Sequence, residues 1–278
     1  MAIRDILLTL RSYPDATPAS VIDDAVSLAS ALGAHIAAIS YEAHVEVPGS
    51  LIGSSLGNVG GIIAREAGKS REAAAGLLAA FQAMAGKASL SSETIMEKCR
   101  TQDVSSLLVD YARLRDLTIA SVPEFDDQWH AEAIIFGSGR PILVLPESRS
   151  KPFELRTAVV AWDFSRAAAR AVADAIPLLE RARNVRIVTV ENEKTFGSKH
   201  STEALATNLA RHGIEIVVER IDAAGRPIHE VLEAAASSCA ADFLVMGAYG
   251  HSRLREFILG GATRSLLSKP PLPILFSH

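Results

Sequence analysis

The chain repeats itself, and internal repetition limits the possible folds more than any other feature of a sequence. Residues 3–10 (Ile-Arg-Asp-Ile-Leu-Leu-Thr-Leu) and 156–163 (Arg-Thr-Ala-Val-Val-Ala-Trp-Asp) are short apolar runs, each followed by an alanine-rich helical segment, 18–32 and 165–182, and a second apolar run, 34–41 and 185–190. Ser92–Cys99 then parallels Glu215–Ile221, and Leu117–Val122 parallels Asp242–Met246, with predicted helices at 103–114 and 227–238. Each half closes on a proline-led apolar segment, Pro141–Leu145 and Pro273–Phe276. Strands alternating with helices imply parallel βαβ units, right-handed crossovers and a sheet buried between helix layers. The expected fold class is therefore α/β, with two tandem five-stranded parallel-sheet domains at 1–147 and 151–278. The join near 147–155 is polar and contains proline, as a linker does. The two closing strands leave edges that pairing with each other would hide, which makes the chain an intrachain pseudo-dimer; a homo-oligomer is left open.

Composition removes several alternatives. The net charge is −4 and 49% of residues are apolar, so the chain is neither disordered nor a broadly basic nucleic-acid binder. Residues 1–150 carry 12 basic and 18 acidic side chains, against 16 and 14 in 151–278, which favours the second half for any anion site. Only Cys99 and Cys239 occur, too few for a disulfide framework or a cysteine zinc site, and a reducing, cytoplasmic setting is expected. No secretory signal is visible at the N-terminus. The uncharged windows 25–41 and 47–64 contain polar, Gly and Pro residues and do not resemble a membrane span, so no membrane partner is expected. Val47–Ser70 holds Gly49, Gly53, Gly57, Gly60, Gly61 and Gly68, and this density of glycine is read as a surface loop, with a lid or partner-binding role as the alternative.

Chemistry concentrates in Asp242–Ser268. The strand Phe243–Met246 runs into Gly247 and Gly250, nine residues intervene, and Gly260 and Gly261 then precede a helical run containing Thr263. A phosphate chain needs backbone N–H donors at close range, and a helix N-terminus supplies such donors with a favourable dipole. Arg253, Arg255 and Arg264 add positive charge, and Thr263 adds a hydroxyl. In an open parallel sheet, ligands sit beyond the carboxyl ends of the strands at a switch point, where Gly247 must fall. Turn-making and helix capping are the structural alternative for these glycines. The segment is neither a Walker loop, since no Gly-Lys-Ser/Thr follows, nor the dinucleotide fingerprint, whose spacing differs.

The pattern Gly-x2-Gly-x9-Gly followed by a small or hydroxyl residue resembles the nucleotide signature of the universal stress proteins, and the tandem organisation is similar to their two-domain members. The resemblance is strong over 151–278 and weak over 1–147. It implies a Rossmann-like fold akin to the adenine nucleotide α-hydrolases, and binding of ATP or another adenine nucleotide. Gly247, Gly250 and Gly260 match the phosphate and ribose loop, and Gly261, Ala262 and Thr263 match the helix start that receives phosphates. Asp163 matches the acidic adenine or ribose contact, and Val190 the backbone adenine contact. Gly261 stands where many members carry Ser or Thr, which leaves Thr263 as the nearby hydroxyl. His251 lies beside the loop, where it could face a phosphate or solvent equally well. Asp163 has a second reading as a helix cap near Ser165, and Trp162 reads as a core residue before an adenine stack.

The first half lacks this equipment. Arg11 stands where Asp163 does, and Pro123, Glu124, Phe125, Asp126 and Asp127 follow the fourth strand without glycine, so one nucleotide site per chain is expected. The eight histidines show no metal spacing, and no nucleophile elbow appears. No metal site and no catalytic residue are expected, and any Mg would come with the nucleotide, without protein ligands. Asp222 and Glu219 read as solvated charges. The expected function is nucleotide binding with a regulatory, stress-response role; the rivals are a slow ATP-hydrolysing enzyme and an interaction scaffold with an empty site.

Overall fold

A computed structural model describes residues 2–13, 15–44, 59–123, 128–148, 151–192, 200–248 and 261–278. The first half runs β1 (Asp5–Leu10), α1 (Ala19–Leu32), β2 (His35–His44), α2 (Val59–Lys87), β3 (Ser92–Arg100), α3 (Val104–Arg113), β4 (Leu117–Val122), α4 (Trp129–Gly137) and β5 (Ile142–Pro146). The second runs β6 (Thr157–Ala161), α5 (Arg166–Leu179), β7 (Asn184–Glu191), α6 (Thr202–Ala210), β8 (Ile216–Asp222), α7 (Ile228–Ser238), β9 (Phe243–Gly247), α8 (Gly261–Ser268) and β10 (Ile274–Ser277).

All the strands lie in one ten-stranded sheet, ordered β3-β2-β1-β4-β5-β10-β9-β6-β7-β8. The two halves therefore use the same strand order. Within each half neighbours are parallel. At the centre β5 and β10 pair antiparallel through Ile274↔Val144, Leu275↔Leu143 and Phe276↔Ile142, so the edges that the sequence left open cover each other.

The strand sequences explain the layering. Ile6, Leu8 and Leu10 of β1 face one core while Leu7 faces the other, and Ala158 and Val160 of β6 alternate with Val159 in the same way. Strands covered on both faces read as nearly continuous apolar runs. One core packs under α1, α2 and α5, the other under α3, α4, α7 and α8.

A carboxylate seats the first strand of each half, half-buried at Asp116 and buried at Asp242. Asp116 Oδ2 accepts the N–H groups of Arg4 (2.9 Å) and Asp5 (3.1 Å). Asp242 Oδ2 accepts those of Arg156 (3.1 Å) and Thr157 (2.9 Å), and its Oδ1 takes Lys151 Nζ at 2.7 Å.

The loop expected over Val47–Ser70 is corrected from Val59 onward, where the 29-residue helix α2 begins; 45–58 lies outside the described residues. Ser70, Ala74, Leu78, Phe81 and Ala85 are buried at helical spacing, and α2 packs on the core it shares with α1. Burial of that stripe outweighs a helix cost of about 1 kcal/mol per glycine. Gly68, Gly76 and Gly86 would meet nothing with an added Cβ. Helices α4 and α6 were not assigned from the sequence.

Candidate functional site

Strand β6 has β7 on one side and β9 on the other, so the strand order reverses at β6 and β9. Three sequence-predicted residues fall at the carboxyl ends of these adjacent strands. Gly247 closes β9, Val190 is the penultimate residue of β7, and Asp163 lies two residues past Ala161, the end of β6. A crevice at this point is where open α/β sheets place ligands.

Asp163 is fixed by the start of α5. Its Oδ1 accepts the N–H of Ser165 at 3.0 Å, and Ser165 Oγ in turn accepts the N–H of Ala168 at 3.0 Å. The helix cap is thus Ser165, a residue the sequence reading passed over although Ser before an alanine-rich run is a sound cap signal. Between them Phe164 takes a left-handed φ of 59°, which turns the chain from strand to helix. Trp162 is half-buried against the core beneath α5, with its ring edge-on to Phe164 at 5.6 Å. Its indole Nε1 is buried with no hydrogen-bond partner among the described residues.

Gly247 requires glycine for packing. An added Cβ would lie 2.4 Å from both the Ala167 carbonyl carbon and the Ala168 nitrogen, so strand β9 ends directly against the backbone of α5. The close approach seats the α5 start, and with it Asp163, beside the end of β9.

Helix α8 begins at Gly261, with Ala262 half-buried and Thr263 buried in its first turn, which contains no acidic residue. Its leading N–H groups and dipole favour an anion. Arg264 is exposed beside them. Gly250, His251 and Gly260 lie outside the described residues, as do Arg253 and Arg255.

At the rim next to β7, Asp222 is exposed, as expected of a solvated charge, and it also has local donors. Asp222 accepts the N–H of Ala224 at 2.8 Å and the side-chain N–H of Asn192 at 2.9 Å. These donors, the Ala224 amide foremost, hold its carboxyl below the ordinary aspartate value. Asn192 itself sits at φ 61°. Glu219 faces Arg186 at 3.4 Å.

The corresponding crevice of the first half is occupied by its own side chains. Arg11, in the position matching Asp163, reaches Glu147 at 2.8 Å and the Asp15 carbonyl at 2.8 Å, and Ser121 Oγ donates to the same Glu147 oxygen at 2.9 Å. The cavity that remains, lined by Thr9, Arg11, Tyr41, Ser121 and His130 among others, measures about 30 Å³, the share of about one liquid water. Residues 124–127 lie outside the described residues.

The fold defines a doubly wound α/β protein whose second half has its switch point at β6 and β9. Residues 154–278 match the model of the Universal stress protein family, and this part of the chain is a universal stress protein domain. Among solved structures, a universal stress protein from Archaeoglobus fulgidus is 15% identical over 98% of this chain and 95% of its own, with a TM-score of 0.70. A putative universal stress protein from Pseudomonas aeruginosa is 13% identical over 99% of this chain and 93% of its own, with a TM-score of 0.58. At these identities the likeness is one of fold, and it spans both halves. No curated protein matches the sequence. Among the described residues no helix is long and apolar enough to cross a membrane, and no group of three or more His, Cys, Asp or Glu could hold a metal ion.

Proposed function

We propose that the crevice of the second half binds one adenine nucleotide per chain, ATP, ADP or AMP, and that the protein has a regulatory, stress-response role in the cytoplasm. The observation that carries this reading is the meeting of Asp163, Val190 and Gly247 at the carboxyl ends of three adjacent strands. Asp163 and the backbone of Val190 would take the base and ribose. The amides of Gly261, Ala262 and Thr263 at the head of α8 would take the phosphates together with Gly250 and Gly260, and His251 would stand beside them. Any Mg would arrive with the nucleotide. The stoichiometry of one is supported by the Arg11–Glu147 pair, which fills the first half's equivalent crevice.

Calorimetric titration with ATP, ADP and AMP tests this directly. Saturable binding at one nucleotide per chain is expected, and Gly250→Val should abolish it while the circular dichroism spectrum stays unchanged. An absence of saturable heat with all three nucleotides would instead make the protein an interaction scaffold, and unchanged affinity in Gly250→Val would remove the loop from the site.

A further inference from the structure

The residue that leads out of Gly247 is held at both of its backbone groups. Ala248 is fully buried; its N–H donates to the Ser277 carbonyl at 2.7 Å, and its carbonyl accepts from His278 Nδ1 at 3.0 Å. The His278 ring is in turn set edge-on against Phe136, with centroids 5.2 Å apart and planes at 73°. Phe136 belongs to α4, a helix of the first half. A chain of contacts therefore runs from the half with the self-filled crevice to the base of the glycine segment in the other half.

The same face of α4 also carries Glu132. Glu132 is one turn before Phe136, and residues four apart share a helix face. Burial pushes the Glu132 carboxyl up, and the positive charge of Arg264, in the first turn of α8, offsets part of that rise. One face of α4 thus reaches Ala248 through His278, while Glu132 lies within the field of Arg264 at the start of α8.

We infer that Phe136 and His278 are positioning residues: α4 of the first half braces Ala248, and through it the strand-end side of the crevice. The second half's site is then incomplete without the first half, which acts as its support. The bracing stands on the contacts themselves; its consequence for nucleotide affinity rests on the reading proposed above.

Hydrogen exchange at the Ala248 amide, measured by NMR on the full chain without nucleotide, tests the bracing alone. Removing a hydrogen bond or an aromatic pair of this kind corresponds to roughly a three- to tenfold change in an opening equilibrium. His278→Ala and Phe136→Ala should each speed Ala248 exchange by about that factor, while the Leu244 amide, earlier in β9 and bonded to the Pro273 carbonyl just ahead of β10, keeps its rate. His278→Asn, which retains a donor near the Nδ1 position, should restore protection. Unchanged exchange in both alanine variants overturns the inference, as does an equal acceleration at Leu244, which would mean general loosening. Titration of the same proteins with ATP then separates the two claims. Weaker binding in His278→Ala, by a similar factor and rescued in His278→Asn, joins the brace to the site. Faster exchange in a protein that binds no nucleotide leaves the brace standing and ends the nucleotide reading.

Discussion

Gly247→Ala is expected to cost about 3 kcal/mol or more of stability, although it adds one methyl group to a half-buried strand end. Overpacking a filled interior typically costs about 1–3 kcal/mol when side chains can adjust. Here the nearest atoms are the α5 backbone at Ala167 and Ala168, 2.4 Å from the new carbon, and a helix cannot yield as a side-chain tip does. Strand and helix must separate. Thermal unfolding should show the loss as a fall in Tm on the order of 10 °C. The helix that moves carries Ser165 on its cap, and Ser165 holds Asp163, so nucleotide affinity should fall with stability. Gly261→Ala is the matched control. Its Cβ would meet nothing within 4 Å, and stability should stay within about 1 kcal/mol of the parent. If Gly247→Ala were as stable as Gly261→Ala, the close contact between β9 and α5 would be refuted.

The second large effect is expected at Asp242→Ala, at the opposite end of β9 from Gly247. Asp242 has a side chain only 5% exposed, and it receives two backbone N–H groups at the start of β6 together with the Lys151 ammonium. A hydrogen bond to a charged group contributes about 1.5–3 kcal/mol, so the loss should reach roughly 3 kcal/mol, read as a lower denaturation midpoint in urea. The amides account for it. Lys151 is 54% exposed, and an ion pair with a solvated partner contributes about 0–1 kcal/mol. Lys151→Ala should therefore be nearly silent, and a Lys151→Ala effect equal to that of Asp242→Ala would transfer the role to the ion pair.

Much of this architecture was legible before any coordinates. The order of the strands followed from apolar runs of strand length recurring along the chain, because a sheet buried on both faces needs such runs at that spacing. β4 begins and ends at the expected residues, Leu117 and Val122. The pairing of β5 with β10 was anticipated as well, since each closing strand offered an unpaired edge. Helix α2 was misread over 59–70, because glycine counts as a local cost while the stripe from Ser70 to Ala85 is stabilised only by what it touches. At the site, Gly247 could be chosen from its place at the end of a strand, and Asp163 and Val190 from the family resemblance, but the packing need for glycine at 247 could not. It comes from α5, eighty residues away in the chain.

What the sequence settled by itself is the order of the strands and their approximate positions, because periodic burial and chain direction are written locally. Only the tertiary structure decided that Arg11 and Glu147 fill the first crevice, and that Phe136 and His278 meet across the halves. Those contacts join residues distant in the chain, and no local pattern encodes which distant atoms will share a surface.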